Sequence, residues 1–407
     1  MDAPVYSKLS EGVDMLGIFT RNQMDYFNDY DTILDIVDKG LAPKYFRIGE
    51  QIPCTWNDGT ADRDMPWDIV DFRNVVNAKG RTVPAMIIQS HWCLPAMQFD
   101  ASEAAFVPAA ALTPKKYKIG IGTNWGTHCV AGKRYSFTTT VEVPVGGQVV
   151  VTRSGSNQYV WGAPDQNPST WVVYTYAATG DITPLEGPLT LTEEDDGELL
   201  GDLTSAIKYS ESGINNLQRA AYGYNRDSHS ATLQYLNSDG AAGTWWLPQN
   251  PFDRPPQQLA SVRGFKAGLS EDFLKIVSPI KITTALNTVS DSQIGTTEEY
   301  SAQFWLPSLE EEYCVPQLAN VEGPYWPYWK DRLDLSSPQE WYGDHANANH
   351  IRYLITNHSS AQRVRLRSAF RGHATYTWNV TTTGYVNTYY AATALALAPA
   401  CAICSSD

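Results

Sequence analysis

Few residues of this sequence stand at the spacings that enzymes use. Cys401 and Cys404 form a C-x-x-C pair, but no second cysteine pair or neighbouring histidine completes a zinc site. His345 and His350 do not have the spacing that places two metal ligands on one helix face, and Asp344 alone completes no catalytic triad. Motifs of nucleophilic, phosphate-binding and dinucleotide-binding enzymes do not occur. The sequence therefore predicts a protein that is not an enzyme and that holds no cofactor and no metal ion.

Two acidic clusters are the other candidates for chemistry. Residues 193–198 read EEDDGE and could bind a divalent cation, but their carboxylates do not alternate as they do in calcium-binding loops. We interpret that cluster as a solvated linker. Glu310, Glu311 and Glu312 could include a general acid, but a structural role for Glu311 is the preferred interpretation.

The tail of the chain favours binding over catalysis. Between His373 and Ala394 there is no acidic residue, lysine or arginine, and threonine, tyrosine, alanine and asparagine predominate. Tyrosine offers a large amphipathic contact area at low entropy cost, and threonine and asparagine adapt their hydrogen bonds, as in antibody paratopes. The predicted ligand-binding residues are Phe370, Arg371, His373, Thr375, Tyr376, Tyr385, Asn387, Thr388, Tyr389, Tyr390, Ala392, Thr393 and Leu395. An ordinary polar loop is the alternative interpretation.

Such side chains need a rigid frame, and the flanking sequence predicts one. Arginine alternates with Val364 and Leu366 over residues 363–367, which is the period of a half-buried strand. Trp378, Val380 and the apolar run 395–403 are the expected buried positions. Their alternation should leave five side chains in one shared outward region, namely Tyr376, Tyr385, Asn387, Tyr389 and Tyr390.

Length, composition and net charge limit the number of domains and the kinds of partner that this protein can have. A length of 407 residues suggests two or three domains, and 43% hydrophobic with 18% charged residues indicates a globular chain. A net charge of −14 argues against nucleic acid as the main partner. No apolar run approaches the ~20 residues of a membrane-spanning helix, so we expect no membrane insertion. The first residues lack the basic and apolar segments of a signal peptide.

The last part of the chain resembles an uncharacterised domain family of Firmicutes and their phages. The motifs follow the family's order: F-W-L-P-S at 304–308 with Glu311, L-R-S at 366–368, N-V-x-x-x-G at 379–384 and P-A-C-A-I at 399–403. Residues 235–238 and 280–282 resemble the upstream half of the family more weakly. The family usually has aromatic residues just before L-R-S, and here Val364 and Arg365 stand there.

This resemblance implies a C-type-lectin-like fold and a tail similar to that of the variable proteins of diversity-generating retroelements. It implies a phage- or prophage-encoded protein that displays a diversified C-terminal surface to a host-surface protein or glycan. The virion, or the extracellular space after lysis, is the expected location, with attachment through the N-terminal segment or homo-oligomerisation as possible assemblies. A structural virion or surface protein is the alternative. A third interpretation is an oxidase similar to formylglycine-generating enzymes, which use a C-type-lectin-like fold.

Arg367 lies in a segment that has no acidic residue of its own. We therefore expect it to turn inward and pair with an upstream carboxylate such as that of Glu311. Glu311 stands at the strand-to-helix position of the family that this part of the chain resembles, where a cap or an ion pair is expected.

The patterns along the chain divide it into three parts. Residues 1–40 form an N-terminal segment with a helix predicted at Tyr30–Asp38. Residues 41–105 and 199–407 form a discontinuous C-type-lectin-like domain, with helical spacing of apolar residues over 199–236. Residues 106–192 form an inserted all-β sandwich. Its predicted strands are Lys116–Ile121, Tyr135–Val143, Gln148–Thr152, Tyr159–Trp161 and Trp171–Tyr176. The predicted fold class is α+β, a C-type-lectin-like module with an inserted β-sandwich.

Overall fold

The fold is α+β with a strongly β-rich character, because helices make up 15% and strands 36% of it. The computed structural model describes residues 29–156, 166–204, 217–292 and 294–406. The helices are α1 (Tyr30–Asp38), α2 (Ala42–Tyr45), α3 (Leu217–Tyr222), α4 (Ala231–Asn237), α5 (Glu271–Ile276) and α6 (Pro327–Leu333). Single 3-10 turns lie at Pro168–Thr170, Asp227–His229, Phe265–Gly268 and Ala348–His350. The α+β part of the predicted fold class is confirmed.

The strands are short and belong to several sheets. In chain order they are β1 (Gln51–Ile52), β2 (Thr55–Asn57), β3 (Asp62–Asp64), β4 (Trp67–Val76), β5 (Thr82–Ser90), β6 (Leu94–Gln98), β7 (Lys116–Ile121), β8 (Arg134–Thr138), β9 (Gln148–Arg153), β10 (Trp171–Tyr176), β11 (Glu186–Thr190), β12 (Glu198–Leu203), β13 (Ile280–Ala285), β14 (Thr297–Ala302), β15 (Phe304–Trp305), β16 (Arg352–Leu354), β17 (Asn357–Gln362), β18 (Val364–Ala369), β19 (Tyr376–Val380), β20 (Val386–Tyr390), β21 (Ala394–Leu397) and β22 (Ala400–Ile403).

The first five-stranded sheet, here called the frame sheet, has the order β1-β4-β5-β22-β15. Its strand β22 lies between two partners, with Cys401 opposite Ile88 of β5 on one side and Phe304 of β15 on the other. All four residues of β22 are buried. The prediction that the apolar end of the tail is buried is therefore confirmed.

The second five-stranded sheet, here called the tail sheet, has the order β20-β19-β18-β21-β6. Strands β18, β19 and β20 pair antiparallel, and β21 joins β18 in parallel through Val364 and Ala396. The alternation around Val364 and Leu366 correctly predicted strand β18. That strand is not half-buried, however, because all six of its residues are buried, including Arg365 and Arg367.

Helix α1 shows how local sequence sets an element of the frame. Asp29 caps it by accepting a hydrogen bond from the Thr32 amide, and the chain leaves through Gly40 with φ of 68°. Ile33 and Val37 are fully buried in the main hydrophobic core, which also contains Trp67. The predicted helix at Tyr30–Asp38 is confirmed, whereas residues 1–28 of the predicted N-terminal segment lie outside the described part of the chain.

Residues 106–192 contribute most of a second hydrophobic core. Two three-stranded sheets, β12-β7-β8 and β11-β10-β9, enclose it, and Tyr117, Phe137 and Trp171 are among its buried members. The strands predicted at Lys116–Ile121 and Trp171–Tyr176 have the predicted bounds. The predicted strand at Tyr159–Trp161 lies outside the described residues.

The helical spacing predicted from Leu199 onward is wrong over its first part. Residues 198–203 form β12, which runs parallel to β7 with Leu203 opposite Ile121. Leu199, Leu200 and Leu203 are too few apolar positions to distinguish a helix from a strand. Gly201 within the segment also disfavours a helix. Residues 205–216 of this prediction lie outside the described residues, and the helical spacing after them is confirmed by α3 and α4.

The segments around residues 103 and 219, which lie on either side of the region 106–192 in sequence, are hydrogen-bonded to each other. The Glu103 amide donates to the carbonyl oxygen of Arg219 (3.2 Å), and the buried Arg219 guanidinium donates to the Glu103 carboxylate. That guanidinium also lies 3.8 Å from the ring centre of Tyr224. These contacts fix helix α3 beside the tail sheet, where the Ala392 amide donates to the carbonyl oxygen of Tyr222 (2.8 Å).

Across the described ranges, every helix is too short or too polar to cross a lipid bilayer.

Candidate ligand-binding surface

Arg367 connects strand β18 of the tail sheet to the segment that carries Leu306, Glu311 and Glu322. Its guanidinium donates to a carboxylate oxygen of Glu311 and to the carbonyl oxygens of Leu306 (3.0 Å) and Glu322. Glu311 also closes a capping box, because Ser308 and Glu311 each donate a backbone amide to the other's side chain, both at 3.1 Å. The side chains of Arg367 and Glu311 are each only 2% exposed. The predicted inward ion pair is confirmed, whereas the capping contacts close a turn, because residues 309–313 form no helix.

Another buried polar pair lies close to this ion pair. Asp227 is buried and accepts a hydrogen bond from the hydroxyl of Tyr300. Burial raises the pKa of the Asp227 carboxyl to about 7, although the hydrogen bond from Tyr300 and the charge of Arg367 act to lower it. The folded protein therefore holds a proton that the unfolded chain would release near pH 4.

Stability should consequently fall as pH rises from about 4 to about 7, because the folded-state pKa of Asp227 is raised. Asp227→Asn should flatten this part of the pH profile, since an amide has no proton to release. Urea unfolding at pH 5 and pH 8 measures the difference, and Asp239→Asn, at an exposed position, is the control. Equal pH slopes for Asp227→Asn and the wild-type protein would contradict this assignment.

Alternation along β19 and β20 divides the predicted contact residues between two faces of the tail sheet. Tyr376 lies opposite Tyr390 in the register, so both belong to one face. Asn387 and Tyr389 belong to the opposite face, and Tyr385 lies in the turn before β20. The expectation of one shared outward region is therefore wrong, because successive residues of a strand point to opposite sides.

The aromatic face, as we call it, consists of Tyr222, Phe370, His373, Tyr376 and Tyr390. The rings of Tyr222 and Tyr390 are stacked, with centres 3.9 Å apart and planes at 15°. Tyr376 continues the row at 4.5 Å from Tyr390, and His373 meets Tyr376 edge-on at 4.8 Å. Phe370 adjoins His373 at 5.8 Å. All five side chains are partly exposed, so together they form a continuous aromatic band that solvent reaches.

A buried tryptophan holds this band in place. Trp378 has no exposed surface and packs against Phe370, with ring centres 5.5 Å apart. Its indole N–H donates to the side-chain oxygen of Gln317 (3.2 Å), which also accepts from the Arg371 amide (2.8 Å). Trp378 and Gln317 therefore fix the loop between β18 and β19, which carries Phe370 and His373, against the tail sheet.

The opposite side, here called the arginine face, consists of Arg363, Asn387 and Tyr389. The Arg363 guanidinium lies 4.9 Å from the ring centre of Tyr389. Beneath it Arg365 is fully buried and donates to the carbonyl oxygen of Thr393 (2.5 Å), among other oxygen atoms. Burial, with the nearby charge of Arg363, lowers the pKa of Arg365 to about 9. The arginine face thus presents one tyrosine and one asparagine over basic side chains.

The remaining predicted ligand-binding residues differ in exposure. Those that are partly exposed are Arg371, Tyr385, Thr388 and Thr393, and those that are buried are Thr375, Ala392 and Leu395. Leu395 pairs with Met97 inside the tail sheet, and Ala392 lies against Tyr222. The three buried residues cannot contact a partner, so we remove them from the predicted set.

Two aromatic residues beside the surface could not be found from the sequence. Tyr222 belongs to α3, and Trp125 lies in a turn of the region 106–192, with its ring centre 5.9 Å from that of Tyr222. Both residues are far from the tail in sequence. No local pattern distinguishes them from the other tyrosines and tryptophans of the chain.

An open depression, here called the junction depression, lies beside Tyr222. It has a volume of about 410 Å³ and is lined by His128, Gln166, Asn167 and Tyr222. Because Tyr222 also belongs to the aromatic face, the depression adjoins that face.

The cysteines and the histidine that were considered as catalytic candidates are buried. Cys401 and Cys404 are buried free thiols, and burial raises the pKa of Cys404 to about 12, which disfavours the reactive thiolate. His350 is buried between Glu312 (3.0 Å) and Gln339 (2.7 Å). These contacts tie the loop before β16 to the turn that carries Glu312.

The acidic cluster at 193–198 is paired with lysines. The Glu194 carboxylate accepts from Lys116 (2.5 Å) and that of Asp195 accepts from Lys118 (2.7 Å). Both carboxylates are largely exposed, so the pairs contribute little stability. The interpretation as a solvated segment agrees with these contacts.

Comparison with known proteins gives one result for part of the chain. Residues 203–405 match the family model of a Domain of unknown function (DUF6273). No curated protein and no solved structure matches the chain. The matched span contains every residue of the aromatic face, whereas the region 106–192 precedes it.

Proposed function

We propose that this chain is a receptor- or ligand-binding protein, encoded by a phage or prophage, and that the aromatic face is its contact surface. The observation that supports this proposal is the row of five partly exposed aromatic side chains in mutual contact over the buried Trp378. Aromatic side chains on a fixed support lose little entropy on binding, and they dominate the energetics of interfaces. The partner is a host-surface protein or glycan.

We infer further that residues 41–105 and 199–407 form a C-type-lectin-like module and that residues 106–192 are a β-sandwich inserted into it. Short helices beside small, loop-rich sheets support this inference. A second hydrophobic core formed mainly by 106–192 also supports it. The motifs from residue 304 to residue 403 are the basis for the family resemblance.

We also propose that the tail is diversified, as in the variable proteins of diversity-generating retroelements. Partly exposed positions carry His373, Tyr376, Asn387 and Tyr390, residue types that adenine-directed mutagenesis of asparagine-type codons produces, whereas the buried Trp378 supports them. Sequencing around the gene tests this proposal. A near-copy of the tail segment beside a reverse transcriptase, differing almost only at adenines, is the expected finding. A gene neighbourhood with neither feature would refute diversification without affecting the binding proposal.

The binding proposal is tested on intact cells. The fluorescently labelled full chain should bind saturably to at least one strain of a panel of Firmicutes, as measured by flow cytometry, and unlabelled chain should compete. Heat-denatured chain is the control for adsorption. Failure to bind any strain of the panel would favour the alternative of a structural virion or surface protein.

A further inference from the structure

Residues 370–376, here called the aromatic loop, carry three of the five side chains of the aromatic face. These are Phe370, His373 and Tyr376, and all three are partly exposed. Two main-chain hydrogen bonds close the loop from within. The Phe370 amide donates to the carbonyl oxygen of Tyr376 (2.9 Å), and the His373 amide donates to that of Phe370 (3.0 Å). The relative positions of the three rings therefore depend on how the main chain of this loop is held.

One buried side chain holds the aromatic loop from the inside of the protein. Asn225 is fully buried, and its carboxamide donates to the carbonyl oxygens of His373 and Tyr376, both at 2.7 Å. The carbonyl oxygen of Phe370 lies 3.4 Å from the same nitrogen atom. The main-chain amide of Asn225 donates to the carbonyl oxygen of Ala374 (2.9 Å). Carbonyl oxygens only accept hydrogen bonds, so these contacts fix the orientation of the carboxamide.

A neighbouring loop fixes the other end of the Asn225 carboxamide. Its oxygen accepts from the Asn287 carboxamide (2.9 Å), which also donates to Asp291 (2.8 Å). In the same neighbouring loop, Thr288 donates its amide and its hydroxyl to the carbonyl oxygen of Arg371, each at 2.8 Å. Asn225 therefore cannot rotate without breaking hydrogen bonds at both ends of its side chain.

Asn225 also connects the aromatic loop to the other half of the aromatic face. Tyr222, which stacks on Tyr390, is the last residue of α3 and precedes Asn225 by three positions. Between them Gly223 has φ of 77°, which favours glycine. A Cβ atom at Gly223 would lie 2.8 Å from two main-chain carbonyl oxygens of the segment that precedes the region 106–192. The path of the chain from Tyr222 to Asn225 is therefore fixed by close packing.

We propose that Asn225 is the positioning residue of the aromatic face. It sets the position of Tyr222 relative to the rings of the aromatic loop, so that a partner meets them in one arrangement. A preformed surface loses less entropy on binding than a mobile one, so this arrangement raises affinity. The inference rests on the proposed binding function and specifies how the contact surface is formed.

The hydrogen bonds that Asn225 and Thr288 donate to the aromatic loop end on main-chain oxygen atoms. The identity of an exposed side chain in the loop therefore does not affect them. His373→Ala should leave the conformation of the loop unchanged, whereas a change of Asn225 should alter it with every side chain of the loop in place. This difference separates the positioning residue from the residues that contact the partner.

Hydrogen exchange of the full chain, followed by mass spectrometry, measures the conformation of the aromatic loop without a ligand. Asn225→Asp keeps the shape of the side chain but turns its N–H donors into an acceptor that faces carbonyl oxygens. We expect exchange in residues 370–376 to become roughly tenfold faster. Asn237→Asp is the matched control and should leave this exchange unchanged. Asn237 also donates to two carbonyl oxygens, those of Leu233 (2.9 Å) and Phe304 (2.8 Å), but it lies at the end of α4 beside the frame sheet.

Binding to the bacterial strain that the wild-type chain binds best tests the consequence for function. Flow cytometry measures it, with correction for the folded fraction of each variant. Asn225→Asp should weaken binding roughly tenfold, whereas Asn237→Asp should lower the unfolding temperature without a change in affinity. Asn225→Ser keeps one donor and introduces no charge, so it replaces Asn225→Asp if that variant does not fold, and it should show a smaller effect of the same kind.

Unchanged exchange of the aromatic loop in the Asn225 variants would overturn the inference. Equal affinity of the Asn225 and Asn237 variants would also overturn it, because a merely structural role predicts that result. Faster exchange in His373→Ala would show that side chains of the loop hold it in place, which contradicts the inference as well. If the wild-type chain binds no strain, the proposed function fails, and the exchange experiment still decides whether Asn225 positions the loop.

Discussion

Arg367→Ala is expected to lower the free energy of unfolding by about 3–5 kcal/mol, because it removes the closer arginine partner of the buried Glu311 carboxylate and leaves Arg73 at 3.5 Å. The same change removes the hydrogen bonds to the carbonyl oxygens of Leu306 and Glu322, which connect β18 to the chain around the capping box. Burial alone would lower the pKa of Arg367, but the carboxylates of Glu311 and Glu322 raise it, so the guanidinium is charged in the folded protein. Urea unfolding followed by tryptophan fluorescence measures the loss.

A control variant and a double-mutant cycle show whether the loss arises from the ion pair. Arg371→Ala removes an arginine whose guanidinium donates to an exposed carbonyl oxygen at 3.2 Å, so it should cost about 1 kcal/mol or less. Arg367→Met should regain part of its lost stability when Glu311→Gln is added, because the second change removes the unpaired charge. Equal stability of Arg367→Ala and the wild-type chain would mean that the tail sheet does not depend on this pair. Simple additivity of Arg367→Met and Glu311→Gln would mean that the two groups do not interact.

Local sequence was sufficient to predict several of the elements that support the candidate surface. Helix α1 has both a cap and a terminating glycine within the segment, so its bounds follow from a few adjacent residues. Strand β18 follows from the alternation around Val364 and Leu366. The inward turn of Arg367 follows from the absence of an acidic residue near it in sequence. In each case the information lies within the segment or in one motif upstream.

Local sequence could not predict which residues belong to each face of the tail sheet. The run from Val386 to Tyr390 is rich in polar and aromatic residues on both sides of the strand, so composition does not indicate that its faces differ. The register with β19 determines that Tyr390 joins Tyr376 while Tyr389 joins the arginine face. The long-range packing of α3 brings Tyr222 to the same place. The burial of Ala392 and Leu395 likewise depends on partners that come from distant parts of the chain.

The largest effect on binding is expected from Tyr376→Ala/Tyr390→Ala, a double variant that removes the centre of the aromatic face. Each truncation of an aromatic hot spot costs about 2 kcal/mol or more, which is roughly 30-fold in affinity. The two residues are neighbours across β19 and β20, so their effects should not be strictly additive. Folding should be nearly unchanged, because both side chains are partly exposed and the buried Trp378 is kept.

The matched control is Asn387→Ala/Tyr389→Ala, which lies on β20, the strand that carries Tyr390, but changes the arginine face. Both double variants are compared with the wild-type chain on the bacterial strain that binds best, with far-UV circular dichroism and unfolding temperature recorded for each. We expect the control to retain binding while the aromatic double variant loses it. The reverse pattern would assign the contact to the arginine face, and equal binding by all three proteins would place the contact outside the tail sheet. Because Tyr389 and Tyr390 are adjacent on β20 but belong to opposite faces of the tail sheet, this comparison tests whether the ligand contacts the aromatic face.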